Sequence, residues 1–187
     1  MPAVPRLSAA DSVLVVVDVQ DKLLAALPTA TSLVASVGFL LDVAALLEIP
    51  AHSAEHYPKG LGPTNADIAR RLPPNPPAKT AFSCCGATGF LDALNALGRR
   101  TAVVVGMEAH VCAAMTALDL LAADYTVFVP VDAVASRFEI DSDTALRRLE
   151  RAGAVLTTAE AVAFEWMRDA SHPNFKAVSK LVIDRVR

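Results

Sequence analysis

The segment Ser12–Val19, SVLVVVDV, constrains the fold more than any other part of this chain. From Val13 to Val17 every residue is a valine or a leucine. A strand with one wet face alternates apolar and polar residues. An unbroken run must be covered on both faces, as in the middle of a parallel sheet. Thr101–Met107, TAVVVGM, repeats the pattern and marks a second central strand.

Around these two runs the apolar period changes from two to three and four. Helices are expected at Thr31–Leu47, with Thr31 or Ser32 as the cap, at Asn65–Leu72, and at Thr88–Leu97, stopped by Gly98. Further helices are expected at Val111–Ala123, Asp141–Ala152, Ala159–Met167 and Asn174–Val186. Strands fit Ile49–Ala54, Lys79–Cys84, Tyr125–Val131 and Ala154–Thr157, and Pro73–Pro77 reads as a rigid surface connection. Strand and helix thus alternate six times. Right-handed crossovers then give a three-layer α/β/α fold around a six-stranded parallel sheet, for which the common order is 3-2-1-4-5-6. The length of 187 residues suits one domain spanning 1–187.

Composition removes several classes of function. The net charge of −3 offers no basic surplus for a phosphate backbone, so no nucleic-acid partner is expected. Met1–Ala10 has no apolar signal-peptide core, and charges interrupt every apolar run before it reaches a membrane span. Cys84 and Cys85 are adjacent and Cys112 is alone, which suits a reducing, cytoplasmic setting better than a disulfide framework.

In open parallel sheets, ligands sit beyond the carboxyl ends of the strands where the strand order reverses. Asp18 ends the first strand, and Gly106–Cys112 follows the fourth. Cys112 would open a helix, whose free amides favour a thiolate, and Lys79 opens the third strand. A carboxylate beside a thiol can take and return its proton. A buried, inert cysteine is the competing reading.

The residues also resemble a known family. Asp18-Val19-Gln20, the lysine segment Lys79–Ser83 and the loop Gly106–Cys112 are similar to the signatures of isochorismatase-like cysteine hydrolases, in the same order. Glu55–Gly62, Asp132–Arg137 and His172–Lys176 extend the likeness to uncharacterised isochorismatase-domain proteins. That resemblance implies a hydrolase of a small-molecule amide, ester or related C–N bond. Cys112 would be the nucleophile, Asp18 the proton carrier and Lys79 the support of the thiolate. It also implies a cis Met107–Glu108 peptide, an oxyanion hole from the Glu108 and Cys112 amides, a homo-oligomer and no cofactor.

Gln20, Glu55, Phe82 and His110 are the candidate substrate contacts, although a partner-satisfied loop histidine describes His110 equally well. Nicotinamidases of the superfamily carry an Asp-x-His metal pattern after strand 2. His52, Glu55 and His56 do not reproduce it, so no metal is expected. The resemblance also implies that true isochorismatases can do without the cysteine, so Cys112 argues against that activity. Cys84 and Cys85 read as packing, Trp166 as core or interface, Arg147, Arg148 and Arg151 as a solvated face, and Asp132 as a loop cap. A noncatalytic, oligomeric binding or scaffold protein of the same fold is the alternative.

Overall fold

In the computed structural model, which describes residues 5–185, the strands are β1 (Ser12–Val17), β2 (Ala51–His56), β3 (Ala78–Lys79), β4 (Thr101–Met107), β5 (Thr126–Pro130), β6 (Val134–Ala135) and β7 (Val155–Thr157). They form one parallel sheet in the order β3-β2-β1-β4-β5-β7, with β6 extending the edge of β4. The expected order holds, and the two-residue β6 is an addition. A strand that short leaves no periodic trace in the sequence.

The two apolar runs occupy the centre, and β1 pairs with β4 from Ser12–Thr101 to Val17–Gly106. Their side chains divide by parity. Leu14, Val16, Val103 and Val105 join one core with the helices Ala30–Leu46, Ala159–Met167 and Phe175–Asp184. Val13, Val15, Val17 and Val104 join the opposite core with the helices Phe90–Ala96, Ala114–Ala122 and Glu139–Arg151. Each fully buried valine is worth about 2 kcal/mol, so a polar substitution on either face of β1 unsettles a whole layer. Trp166 belongs to the first core, at 2% exposure.

Several boundaries differ from expectation. The first long helix starts at Ala30, and its cap position is Thr29, not Thr31 or Ser32. Asn65 lies outside its helix and caps Ala66–Ala69 by accepting from Asp67 N at 3.1 Å. The last helix ends at Asp184, and its expected end, Val186, lies outside the described residues, as do residues 1–4 of the N-terminal segment. Among the described residues no helix is long and apolar enough to cross a membrane.

The largest correction concerns β3, which stops at Lys79 instead of continuing to Cys84. The chain then bends into a short 3-10 turn at Cys84–Gly86. The Ala81 and Phe82 carbonyls, which a longer strand would have committed to a ladder, turn inward toward the Lys79 ammonium.

Candidate active site

β1 delivers Asp18 to the carboxyl edge at the centre of the sheet, and the backbone there leaves the extended region, with φ at 49°. Asp tolerates this left-handed conformation better than most residues, and such outliers gather at functional sites. Gly106 lies opposite, at φ 114°. A Cβ on it would stand 2.1 Å from the Val17 carbonyl oxygen, so only glycine lets β4 pass this close to the Asp18 bend.

The Asp18 and Lys79 side chains are both fully sealed from solvent, and Lys79 Nζ donates to Asp18 Oδ2 at 2.7 Å. The ammonium also donates to the Phe82 carbonyl at 2.8 Å and the Ala81 carbonyl at 3.3 Å. Three acceptors take up its three protons. Lys79 therefore supports Asp18 and has no donor left over for a thiolate. The other carboxylate oxygen, Asp18 Oδ1, is buried without a hydrogen-bond partner. Burial raises the Asp18 pKa above the usual carboxylate range, against the opposing pull of Lys79, Cys112 and His56. A raised pKa makes it a better proton acceptor than an exposed aspartate.

Cys112 sits in a π-helical turn, Ala109–Ala113, that precedes the α-helix Ala114–Ala122. Such turns are rare and often mark functional positions. The Thr116 hydroxyl donates to the Cys112 carbonyl at 2.7 Å and fixes the turn from below. Cys112 is 6% exposed as a residue, and its thiol lies close enough to Asp18 for each group to shift the other's ionisation. No hydrogen bond of ordinary geometry joins them.

Burial first, and the Asp18 carboxylate second, push the Cys112 pKa up to about 12. This direction runs against the expected thiolate favoured by Lys79 and a helix terminus: desolvation and the neighbouring carboxylate raise the thiol pKa, while Lys79 lowers it. The Met107–Glu108 peptide is cis, as the resemblance implied.

The remaining candidates separate. Gln20 is fully buried and spends its amide on the strand 2 backbone, accepting from His56 N at 2.9 Å and donating to the His56 and Gly62 carbonyls at 3.1 and 2.5 Å. It fastens the loop after β2 to the Asp18 bend, with both amide hydrogens engaged and the side chain sealed from solvent. Glu55 Oε1 holds Thr64 through its N–H at 2.7 Å and its hydroxyl at 2.9 Å. His110 takes the partner-satisfied reading, with Ser136 Oγ 2.8 Å from Nδ1 and Asp141 3.7 Å from Nε2. Glu108 accepts from Arg137 Nε at 2.9 Å, tying the Cys112 turn to the loop beyond β6. Phe82 remains at the site, with its carbonyl on Lys79 and its ring half exposed.

His56 was missed as a member of this cluster. Its ring packs on Phe82 at 5.6 Å between centroids, its charge acts on Asp18, and its Nδ1 is buried without a partner. The sequence signal for it is its place at the end of β2. His52 lies four residues away on the same strand, about 13 Å at strand rise, too far to share an ion with it. Among the described residues no group of three or more His, Cys, Asp or Glu is arranged to hold a metal ion. Asp132 is structural, accepting from Ala159 N at 2.7 Å and pairing with Arg185. Arg147, Arg148 and Arg151 are exposed.

Fold and site together define a doubly wound α/β protein with a carboxylate, an ammonium and a thiol gathered at the carboxyl edge of its sheet. The sequence profile of the Isochorismatase domain matches residues 12–161. The chain belongs to the isochorismatase family, a family of hydrolases. It is 39% identical over 184 residues to isochorismatase domain-containing protein 2 of Danio rerio, covering 97% of this chain and 92% of that protein. The Homo sapiens protein of the same name is 37% identical over 182 residues, with coverage of 97% and 87%.

Among solved structures, the MAR1 ribonuclease of Caenorhabditis elegans superposes with a TM-score of 0.90 at 38% identity, covering 96% of this chain and 93% of that one. The YcaC gene product of Escherichia coli, described as an octameric hydrolase of unknown specificity, superposes with a TM-score of 0.85 at 25% identity over 100% of both chains.

Proposed function

We propose that this chain is a cysteine hydrolase that cleaves an amide, ester or related C–N bond of a small molecule. The observation that carries the reading is the unequal use of the two Asp18 oxygens. Oδ2 is locked to Lys79, while Oδ1 is buried and unpartnered, in a carboxylate close enough to Cys112 for each to shift the other's ionisation. In attack, the thiol proton passes to Oδ1 as sulfur bonds to the substrate carbonyl carbon. The Glu108 and Cys112 amides take the developing oxyanion. The C–N or C–O bond then breaks, and the leaving group takes a proton. Water next attacks the thioester, the C–S bond breaks, and a proton returns to sulfur. Lys79 keeps Asp18 ionised between turnovers.

We also propose that residues 1–187 form one such domain, that it assembles as a homo-oligomer and that it works in the cytoplasm. A small-molecule substrate suits a thiol that is only 6% exposed. The test is a panel of small amides and esters, run on the wild type and on Cys112→Ala. Turnover of at least one substrate, lost in the variant with the fold intact, is expected. Turnover that survives in the variant contradicts the nucleophile. A chain that processes none of them and forms no acyl adduct at Cys112 favours the scaffold alternative.

The description of the C. elegans relative as a ribonuclease favours a second reading, RNA cleavage. The net charge of −3 gives a phosphate backbone little to bind. An RNA oligonucleotide in the same panel decides it: cleavage that depends on Cys112 would displace the small-molecule reading.

A further inference from the structure

We propose that Arg137 is a positioning residue for the Cys112 reaction: it pins the Glu108 side chain and neutralises its charge beside the place where negative charge develops. The inference rests on the Cys112 hydrolase reading. The turn that carries the thiol is closed on Glu108. The Glu108 carbonyl accepts from Val111 N at 3.0 Å and from Ala113 N at 3.1 Å, the residues on either side of Cys112. A shift of Glu108 is therefore passed directly to the Cys112 backbone.

The chain from Ala133 to Arg137 runs alongside that turn and holds it residue by residue. Gly106 N donates to the Ala133 carbonyl at 2.9 Å, and Gly106 and Met107 pair with Val134 and Ala135. β6 ends at Ala135, and beyond it side chains replace the ladder. Ser136 Oγ lies 2.8 Å from His110 Nδ1. Glu108 Oε1 accepts from Arg137 twice, from its backbone N at 3.2 Å and from Nε at 2.9 Å. The Glu108 side chain is only 13% exposed, against 51% for that of Arg137. An ion pair with both ends in water is worth little. Here the acid end is withdrawn from solvent, so its charge is poorly screened and depends on its partner.

A glutamate is a liability at this position unless its charge is met. Bond lengths alone keep its carboxylate within about 6 Å of its own amide nitrogen, one of the two proposed oxyanion donors. At that range a bare carboxylate opposes the charge that gathers on sulfur as its proton leaves. It also opposes the oxyanion that forms as sulfur bonds to the substrate carbonyl carbon. Consistent with this, Glu108 is among the groups that raise the Cys112 pKa. Arg137 supplies the opposite charge, and its two bonds to one oxygen fix where the carboxylate lies. Arg137 acts through Glu108 and handles no proton.

A double-mutant cycle separates charge from mere scaffolding. The readout is the rate of nitrophenolate release as para-nitrophenyl acetate acylates Cys112, with intact mass to confirm the acetyl adduct and urea midpoints to check the fold. Arg137→Met leaves the carboxylate bare and should slow acylation about 30-fold. Arg137→Lys keeps the charge but not the Nε bond, and should recover about tenfold of that loss. Glu108→Gln removes the charge that needs neutralising and should speed acylation about threefold. Arg137→Met combined with Glu108→Gln leaves no unmet charge and should also recover about tenfold. A scaffold role alone predicts that the lysine and double variants stay as slow as Arg137→Met, since neither restores the paired bonds. That result, or Arg137→Met acylating at the wild-type rate, would overturn the proposal and leave the Cys112 reading standing. If Arg137→Met does not fold, Glu108→Gln decides, and acylation slower than wild type would overturn the proposal. A wild-type chain with neither nitrophenolate release nor adduct at Cys112 would overturn the hydrolase reading itself, and the role of Arg137 with it.

Discussion

The turn after β3 and the turn after β4 each bring a cysteine toward the same Asp18–Lys79 pair. Cys84 is wholly buried in the first, and Cys112 is nearly so in the second. Burial raises both thiol pKa values, and Asp18 raises both further. Thr116 even joins the two turns, accepting from the Cys84 N–H at 2.9 Å while donating to the Cys112 carbonyl. What separates them is access and backbone form. Cys84 sits in a 3-10 turn among apolar side chains at 0% exposure, and Cys112 in a π-helical turn at 6%. Burial pushes the Cys84 thiol up further than the Cys112 thiol, and the proposed mechanism asks for more than the lower pKa of the two. The cysteine it needs is the one that a substrate can reach and that has a proton acceptor waiting.

The sharpest way to break this contrast is to remove the acceptor. Asp18→Asn should lower turnover by about 10³-fold, within the usual range for a general base. The same change leaves the Lys79 ammonium buried without a counter-charge, which costs about 3–5 kcal/mol. Steady-state kinetics and urea unfolding read the two effects. An Asp18→Asn protein as active as wild type would mean that Cys112 needs no base.

Lys79→Met asks how the pair is maintained. It leaves Asp18 buried without its ammonium, so the carboxyl pKa, already raised by burial, goes higher and less base is ionised at neutral pH. Turnover should fall by about 100-fold. The pH dependence of stability has a definite sign. A carboxyl whose folded pKa lies above its unfolded value contributes stability below the ordinary carboxylate pKa and loses it as pH rises through the folded value. Urea midpoints for Lys79→Met should therefore drop from acid to neutral pH more steeply than those of wild type. A flat difference between the two proteins would show that the ammonium is not what keeps Asp18 ionised.

Reagent choice should reverse the apparent order of the cysteines. Iodoacetamide tests the resting thiolate and should label the half-buried Cys85 before Cys112, with Cys84 last. An acylating ester draws on Asp18 and should modify Cys112 first. Peptide mass mapping reads both, and Cys112 reacting first with iodoacetamide would restore the preformed thiolate. The smallest effect is expected from Thr116→Val, which removes the hydroxyl shared by the two turns. About 1–2 kcal/mol of stability and a few-fold in turnover should be lost. No change in turnover would detach the Cys84 turn from the site.

Much of the fold was legible because the central strands are written in unbroken valine. Val13–Val17 and Val103–Val105 admit one placement, and that placement orders the sheet around them. The termini of elements were less legible where a side chain competes with the backbone. Lys79 pulls the Ala81 and Phe82 carbonyls out of a ladder, which no propensity records. Asp18, Lys79 and Cys112 were found through motif order, and the structure brings them together.

Gln20 shared the same motif yet proved to be a fastener, because a motif does not say where an amide points. The place of His56 is hard to read because the ring it packs against, Phe82, lies 26 residues away along the chain. The direction of the Cys112 pKa is hard to read from sequence for a related reason. Charge proximity can be guessed from motifs, whereas burial depends on every element that closes over the site.

The protonation state of Cys112 is open to direct measurement. Thiolates absorb in the ultraviolet, at shorter wavelength than the main aromatic bands, where thiols do not, so the difference between wild type and Cys112→Ala isolates this one group as pH is raised. If burial and Asp18 dominate, the difference is absent at neutral pH and grows only toward a midpoint near 12. A thiolate signal already present at neutral pH would contradict the resting thiol and return Lys79 and the helical turn to the role of activating the nucleophile.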